Sequence, residues 1–374
     1  MPLRHHAHAA VGAQRARVSG NYLSAVRIEN IRILERAELN PVAGFNLITG
    51  ANASGKTSVL ESIFLLSRGR SFRSLRFGDV VRHGAERYSV VGWIAGSGRK
   101  IPLGIERNAE QLTVRVDGRP ATSRAELTTL LPVQLINPLS HKLLEEGPVF
   151  RRRYLDWGVF HVEPGFLHAW QRFQRALRQR NGALRSYPDT ARAWDSELIA
   201  AGMALDDLRR RYVADVAPYV HALARRLADV DDLELRYQRG WPQDRDLAGT
   251  LDQQWPRDRE RGHTGSGPHR AEIRVRVEGR DAVGCVSRGQ QKLLVAALIL
   301  GQTQWFQERT GRRAIVLLDD LPAELDRPHR ERLVSLLDEL QPQVFVTAID
   351  PDEIPVPDTA RRFHVEHGQV GEMV

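Results

Sequence analysis

Residues 50–57, "GANASGKT", set a glycine at each end of a short loop and follow it with a lysine and a threonine. This G-x-x-x-x-G-K-[ST] spacing lets a backbone cradle phosphate, because successive N–H groups turn inward and the next helix aims its positive end at the same point. Gly50, Ala51, Asn52, Ala53, Ser54 and Gly55 are expected to form that cradle. Lys56 is expected to neutralise the β- and γ-phosphates of ATP, and Thr57 to ligate Mg²⁺, with Ser58 in the first helical turn. Only Lys56, Lys100, Lys142 and Lys292 are lysines among 54 basic residues. A compact ammonium at position 56, where a guanidinium fork would be too wide, therefore favours a functional role. The flanks predict the supporting elements: Phe45, Leu47 and Ile48 as a buried strand, and Val59, Leu60, Ile63, Phe64 and Leu66 as the apolar stripe of a helix.

A second group lies far downstream. "RRAIVLLDDLPAELD", residues 312–326, reads as a buried strand ending in two carboxylates. Asp319 is expected to hold Mg²⁺ and Asp320 to polarise the attacking water. "VSRGQQKLLVAALILGQ" opens an apolar helix with Ser287, Arg288, Gly289 and Gln290 at its start, a second anion-binding geometry. One subunit does not need two γ-phosphate sites, whereas a head-to-tail pair of subunits does. The order of loop, helix start and acidic strand resembles that of ABC-type ATPases. That resemblance implies an ATP-dependent homodimer in which each 287–290 segment caps the partner's nucleotide. It further implies Gln134 at a strand end as a sensor of Mg²⁺ and γ-phosphate, Asp326 in a loop crossing the dimer interface, and Thr347 at a switch position.

The elements that must hold these groups follow from length and patterning. A chain of 374 residues with 42% apolar content can bury a sizeable core in two domains. The expected fold class is α/β: an ABC-type ATPase head, a mixed sheet around the phosphate loop, plus a mainly helical second lobe with a short coiled-coil-like hairpin. The head is assigned to 24–150 and 263–374 and the helical lobe to 151–262, with 1–23 as a disordered extension. "SAVRIENIRILERAEL", "YSVVGWIAG", "KIPLGIERN" and "QLTVRVDG" alternate as antiparallel strands. Trp194, Leu198, Ala201, Leu205, Leu208, Tyr212, Val216, Tyr219, Leu223 and Leu227 recur at helical steps and form the seam of a long helix, paired with a helix over 164–185. The segment 237–269, rich in Gly, Pro and charge, reads as a return linker. The longest apolar run, Leu293 to Leu300, is too short to cross a bilayer, so no membrane partner is expected. The first 23 residues have no apolar core of an export signal, which points to the cytoplasm, and a DNA partner would place the protein at the nucleoid. A single cysteine, Cys285, excludes an internal disulfide. The "HHAH" at 5–8 is a weak metal candidate.

Net charge is +8, which suits a polyanion. The basic clusters lie at 68–77, 151–154, 171–180 and 209–212, with Arg70, Arg73, Arg151, Arg152 and Arg153 as candidate DNA contacts. No helix-turn-helix or zinc-finger pattern is present, so shape and backbone readout is expected.

Eight blocks in order make the resemblance specific: "GFNLITGANASGKTSVLESIFLLSRGRSFRS", "QLINP", "LLEEGPVFRRRYLDWGVFH", "QRNGALR", "GPHRAEI", "VSRGQQKLL", "LLDDLPAELD" and "QVFVTAI". From about Ser24 to Val374 the chain resembles the RecF family of bacterial recombination-repair ATPases. The resemblance implies slow, DNA-stimulated ATP hydrolysis, preference for duplex DNA beside single-strand gaps, RecR with RecO as partners, and help in loading the RecA recombinase. Ala53 stands where the commonest loop has glycine, and Glu272 follows "GPHRA" where aspartate is usual, which weakens a specific role for that carboxylate. The alternatives are another ABC-type ATPase, SMC-like or nuclease-linked, or a transporter-type subunit. The 230 positions separating Thr57 from Ser287 argue against the last.

Overall fold

The computed structural model describes residues 21–96 and 98–373. The expectation for residues 1–20, including the histidines at 5–8, lies outside them. Residues 22 and 23 do not belong to an extension. β1 (Tyr22–Ile31) already runs through them, and the buried Gln343 amide fixes its start, accepting from Leu23 N at 2.8 Å and donating to Leu23 O at 2.8 Å.

The first sheet is antiparallel, in the order β2 (Leu34–Leu39), β1, β4 (Arg87–Gly96), β5 (Arg99–Asn108), β6 (Leu112–Val116) and β7 (Arg119–Pro120). β4 buries Tyr88, Val90 and Ile94 on alternate positions, as a half-covered strand should. The second sheet runs β15 (Gln369–Met373), β14 (Arg361–Glu366), β3 (Phe45–Thr49), β13 (Gln343–Ala348), β12 (Ile315–Leu318) and β8 (Val133–Ile136). All its pairings are parallel except β14 with β15. β3, β12 and β13 are buried along their whole length because both faces are covered, which explains their unbroken apolar runs.

Those two faces meet different cores. Ile48, Ile315, Leu317 and Phe345 pack with Val59, Leu60 and Ile63 of the helix Lys56–Arg68 and with the first sheet. Leu47, Val316, Leu318, Val344 and Val346 pack with the helices of the insert. A side chain's parity along a strand therefore decides which core it joins.

The insert is helical: Pro148–Val162, Phe166–Ser186 and the 34-residue helix Asp195–Ala228. The expected seam is buried at Leu198, Ala201, Leu205, Leu208, Tyr212, Val216, Leu223 and Leu227, with Val220 taking the place expected for Tyr219. This long helix packs on Phe166–Ser186 as a hairpin and also along the helix Arg288–Thr310. At the second crossing the backbones nearly touch: a Cβ on Gly301 would lie 2.9 Å from Val220 Cα. One apolar cluster runs from the insert into the second sheet, and β9 (Leu233–Gln238) pairs with β10 (Glu272–Val277) across the assigned boundary at 262. β11 (Arg280–Asp281) completes this third sheet.

The segment 237–269 is not simply a linker. Within it lies the helix Leu247–Arg261, started by Asp246, whose side chain accepts from Gly249 N, and ended by Gly262 in the left-handed conformation. Its charges mislead because one of them is internal: Asp258, buried, receives Arg180 Nη1 at 2.8 Å.

Candidate functional site

The loop 50–55 joins β3 to its helix at the carboxyl end of the second sheet. Gly50 has φ +147° and passes so close to β14 that a Cβ would fall 2.2 Å from Val365 O, so no other residue fits. Ala53 adopts φ +61° in spite of its Cβ. Strain of this kind costs about 1 kcal/mol or more and persists only when the surroundings impose it. Helix Lys56–Arg68 begins at Gly55 without any side-chain cap, which leaves its first-turn N–H groups for a ligand. Lys56 Nζ folds back over the loop and donates to Gly50 O at 2.7 Å and Ala51 O at 2.8 Å. Burial lowers its pKa, against the pull of Asp320, Asp319 and Glu353. Ser54 Oγ is buried in the loop with no partner among the described residues. Ala51, Asn52 and Ala53 are exposed, whereas Ser58 is buried in the first turn.

The distant carboxylates converge on this loop. Thr57 Oγ1 donates to Asp319 Oδ1 at 2.9 Å. Thr347 Oγ1 donates to the same oxygen at 3.1 Å and accepts from Asp320 N at 2.8 Å. Strand parity explains the meeting: Asp319 continues the face of Ile315 and Leu317, and Thr347 that of Phe345, both turned toward the loop helix. Thr347 is buried and holds the two aspartates in place. Asp320 is exposed, with φ +55°.

Burial is the main cause of a raised Asp319 pKa, opposed by its bonds from Thr57 and Thr347. The folded state therefore keeps this proton to higher pH than the unfolded chain does. The ligand-free fold is favoured below the unfolded carboxyl range and loses that advantage as pH rises through the raised value. An Asp319→Asn variant, able to accept the same two bonds, is expected to melt at a higher temperature than wild type at neutral pH, with the gap closing on acidification. Calorimetry across pH without nucleotide measures this, and equal melting temperatures at neutral pH would refute it.

Gln134 is a correction. It is the second residue of β8, on the opposite face from Asp319, and its Nε2 donates to Gln302 Oε1 at 2.7 Å in the interior. The end of β8 reaches the site through its backbone: the carbonyl of Ile136 accepts from Asp319 N. The sequence motif pointed to this strand but not to the face of its residues.

Ser287 caps the helix Arg288–Thr310 in a reciprocal box: Gln290 N donates to Ser287 Oγ at 3.2 Å, and Ser287 N to Gln290 Oε1 at 3.0 Å. Arg288 and Gly289 are exposed. A Cβ on Gly289 would meet only Ser287 Oγ, at 3.9 Å, so the fold of one subunit does not require glycine there. Asp326 caps the helix Arg327–Leu340 and is held below the usual carboxylate range by His329.

The arginine clusters divide sharply. Arg151 is bound to Glu272 and to the carbonyls of Leu143, Leu144 and Glu146, and Arg152 donates to Ala271 O. Arg151 is thus held by the fold, contrary to the expectation of DNA contact, while Arg152 is half-exposed, and Glu272, which the motif devalued, is Arg151's partner. Arg180 and Arg209 are buried in ion pairs with Asp195, Asp258 and Asp156. Arg73 leans on the buried Glu61, which also binds Arg32 at 2.8 Å. Arg70 and Arg153 are exposed and form no ion pair among the described residues. Glu61 was missed because its helical position looks ordinary; only its complete burial shows that it anchors the 70–76 segment.

The model of the RecF/RecN/SMC N-terminal domain matches residues 22–370. "DNA replication and repair protein RecF" of Pseudomonas paraeruginosa is 44% identical over 359 residues, covering 94% of this chain and 97% of the relative. The chain belongs to the RecF family. The protein of the same description from Pseudomonas putida is 44% identical over 361 residues, covering 93% of this chain and 97% of the relative. Among solved structures, the recombination mediator protein RecF-ATP in the RecFOR pathway superposes with a TM-score of 0.86 at 25% identity, over 99% of this chain and 100% of that one. The Smc head domain of Pyrococcus furiosus, at 0.59 and 15% identity over 94% of this chain and 96% of that one, shares the fold. The RecF-family chain thus has the expected ABC-type ATPase head, mixed α/β with added helices. Among the described residues no helix is long and apolar enough to cross a membrane.

Proposed function

We propose that this protein is an ATP-dependent DNA-binding ATPase of recombinational repair. ATP drives a head-to-tail homodimer, and the dimer clamps duplex DNA beside single-strand gaps, works with RecR and RecO, and favours RecA loading. The observation that carries the reading is the convergence of Thr57, Asp319 and Thr347 on a loop whose lysine caps its own carbonyls. The orphaned Ser54 hydroxyl and the N–H groups of the uncapped helix start are suited to donating to phosphate oxygens, for which Lys56 would leave the loop carbonyls it now caps. Thr57 and Asp319 are the hard oxygen donors that would hold Mg²⁺, which supplies charge neutralisation at the phosphates when bound. Asp320, exposed beside them, is the proposed base, and its short side chain fits slow turnover. Lobe boundaries near 150 and 263 are part of the same proposal.

The exposed 287–290 segment supports the dimer. Gly289 sits in open space on a helix, where alanine is the better helix former. Gly289→Ala should leave the monomer at least as stable and yet impair the dimer if a partner's nucleotide packs against that backbone. Sedimentation with Asp320→Asn to stall turnover, saturating ATP and gapped duplex tests it. Single subunits in that sample would sink the clamp. A Gly289→Ala protein that dimerises as well as its parent would remove 287–290 from the interface.

DNA binding should weaken steeply with salt, since phosphate neutralisation releases counterions. Binding isotherms on gapped duplex from low to high salt should show this. A flat response would contradict backbone readout.

A further inference from the structure

A cavity of about 510 Å³ opens beside the edge strand β8, between the end of the loop helix, the 70–75 segment and the helix Pro148–Val162. None of residues 50–58 lines it, so it is separate from the phosphate loop. Its size falls in the range of about 300–1,000 Å³ usual for small-ligand sites. The chemistry of its wall is one-sided. Arg68, Arg70, Arg73, Lys142 and Arg153 line it, and no aspartate or glutamate does. Arg68, Arg70 and Arg153 form no ion pair among the described residues, and the buried Nε of Arg68 has no hydrogen-bond partner. Trp157 Nε1, on the same wall, is likewise buried and unpartnered. Aromatic rings interleave with these cations: Arg68 lies over Phe64 at 5.9 Å and Arg153 over Phe150 at 5.6 Å.

A simple anion would use the cations but not the rings, and an apolar ligand the reverse. Arg73 and Lys142 are paired with Glu61 and Glu146, but three cations without counter-charge, flat π-faces and buried N–H donors together match a planar heterocycle that carries a phosphate. We propose that this cavity is a second nucleotide site, which takes one unpaired nucleotide with its base against the Phe64 and Phe150 rings and its phosphate on Arg70 and Arg153. The nucleotide is either free or part of a DNA strand, and only the second source rests on the DNA-binding reading.

The test uses the full chain without ATP and the fluorescence of 2-aminopurine, which stacking quenches. One arm titrates 2-aminopurine deoxyriboside monophosphate. The other titrates a gapped duplex with 2-aminopurine as the unpaired nucleotide. Saturable quenching is expected in at least one arm, unchanged in Lys56→Ala and in the charge-matched surface control Arg225→Glu. It should weaken about tenfold or more in Arg153→Glu and roughly 5- to 150-fold in Phe150→Ala, the range for losing one base–aromatic stack. Arg153 is exposed, so its variant stays informative even if Phe150→Ala disturbs packing. Quenching by the free nucleotide alone assigns a small-molecule site, and by the gapped duplex alone a strand-reading site; both support the proposal. Quenching that disappears in Lys56→Ala places the probe at the phosphate loop and overturns it, as does quenching indifferent to Arg153→Glu or absent from both arms. Gapped duplex that binds without quenching in either arm overturns the cavity and leaves the DNA reading intact. Quenching by the free nucleotide in a sample that binds no DNA without ATP supports the cavity as a small-molecule site and leaves the ATP-dependent DNA reading to the salt titration and sedimentation above.

Discussion

Lys56→Ala should lose ATP affinity by roughly a hundredfold or more, and hydrolysis with it. The ammonium already makes two short bonds in the loop, at 2.7 and 2.8 Å, and is placed to exchange them for phosphate oxygens. A hydrogen bond to a charged group contributes about 1.5–3 kcal/mol, and about 1.4 kcal/mol is a factor of ten, so two such bonds set the scale. The fold itself should change little: the loop's shape is imposed by Gly50 against Val365 and by the sheet beneath, and the freed carbonyl of Ala51 faces solvent. Equilibrium dialysis with ATP, beside a denaturant melt of both proteins, separates the two effects. Unchanged affinity would remove Lys56 from the site. A collapse in stability would make its role structural.

The largest stability effect is expected at Arg180. Its guanidinium is fully buried and joins three elements: Nε to Asp195 at 2.6 Å, and Nη1 to Asp258 at 2.8 Å and to Thr264 at 2.7 Å. Removing one member of such a set strands a buried carboxylate, which typically costs about 3–5 kcal/mol. Arg180→Ala should destabilise by that order, and Arg180→Lys should recover little, because a single ammonium cannot serve the same planar fork. Urea unfolding measures both. A loss below about 1 kcal/mol for the alanine variant would mean that the insert holds together on apolar packing alone.

Arg180 also shows where sequence reading stops. "QRFQRALRQR" looks like a basic surface, and nothing local distinguishes Arg180 from its neighbours; its acidic partners lie 15 and 78 residues away. The same is true of Arg151 and Glu272, 121 positions apart. By contrast the phosphate loop, the acidic strand end and the capped 287–290 helix were legible. Each is a local device whose glycines, hydroxyls and carboxylates must stand at fixed offsets. The first sheet was legible for a related reason, since a half-covered strand writes its alternation into the chain. Gln134 and Thr347 lie between these cases. A motif places a residue on a strand, but only knowing which core lies on each side tells whether it meets Asp319, as Thr347 does, or Gln302, as Gln134 does. The helix over 247–261 was hidden by a composition that resembles a loop until Asp258 is given its buried partner.

The near-contact of Gly301 with Val220, two residues from the internal Pro218, couples the helix capped by Ser287 closely to the 34-residue helix. At about 1.5 Å per residue the longer helix is an arm roughly 50 Å long. A small tilt where residue 287 meets whatever lies beyond it must therefore be magnified at the far tip of the insert. A bulky side chain at Gly301 would push the two helices apart and loosen that coupling.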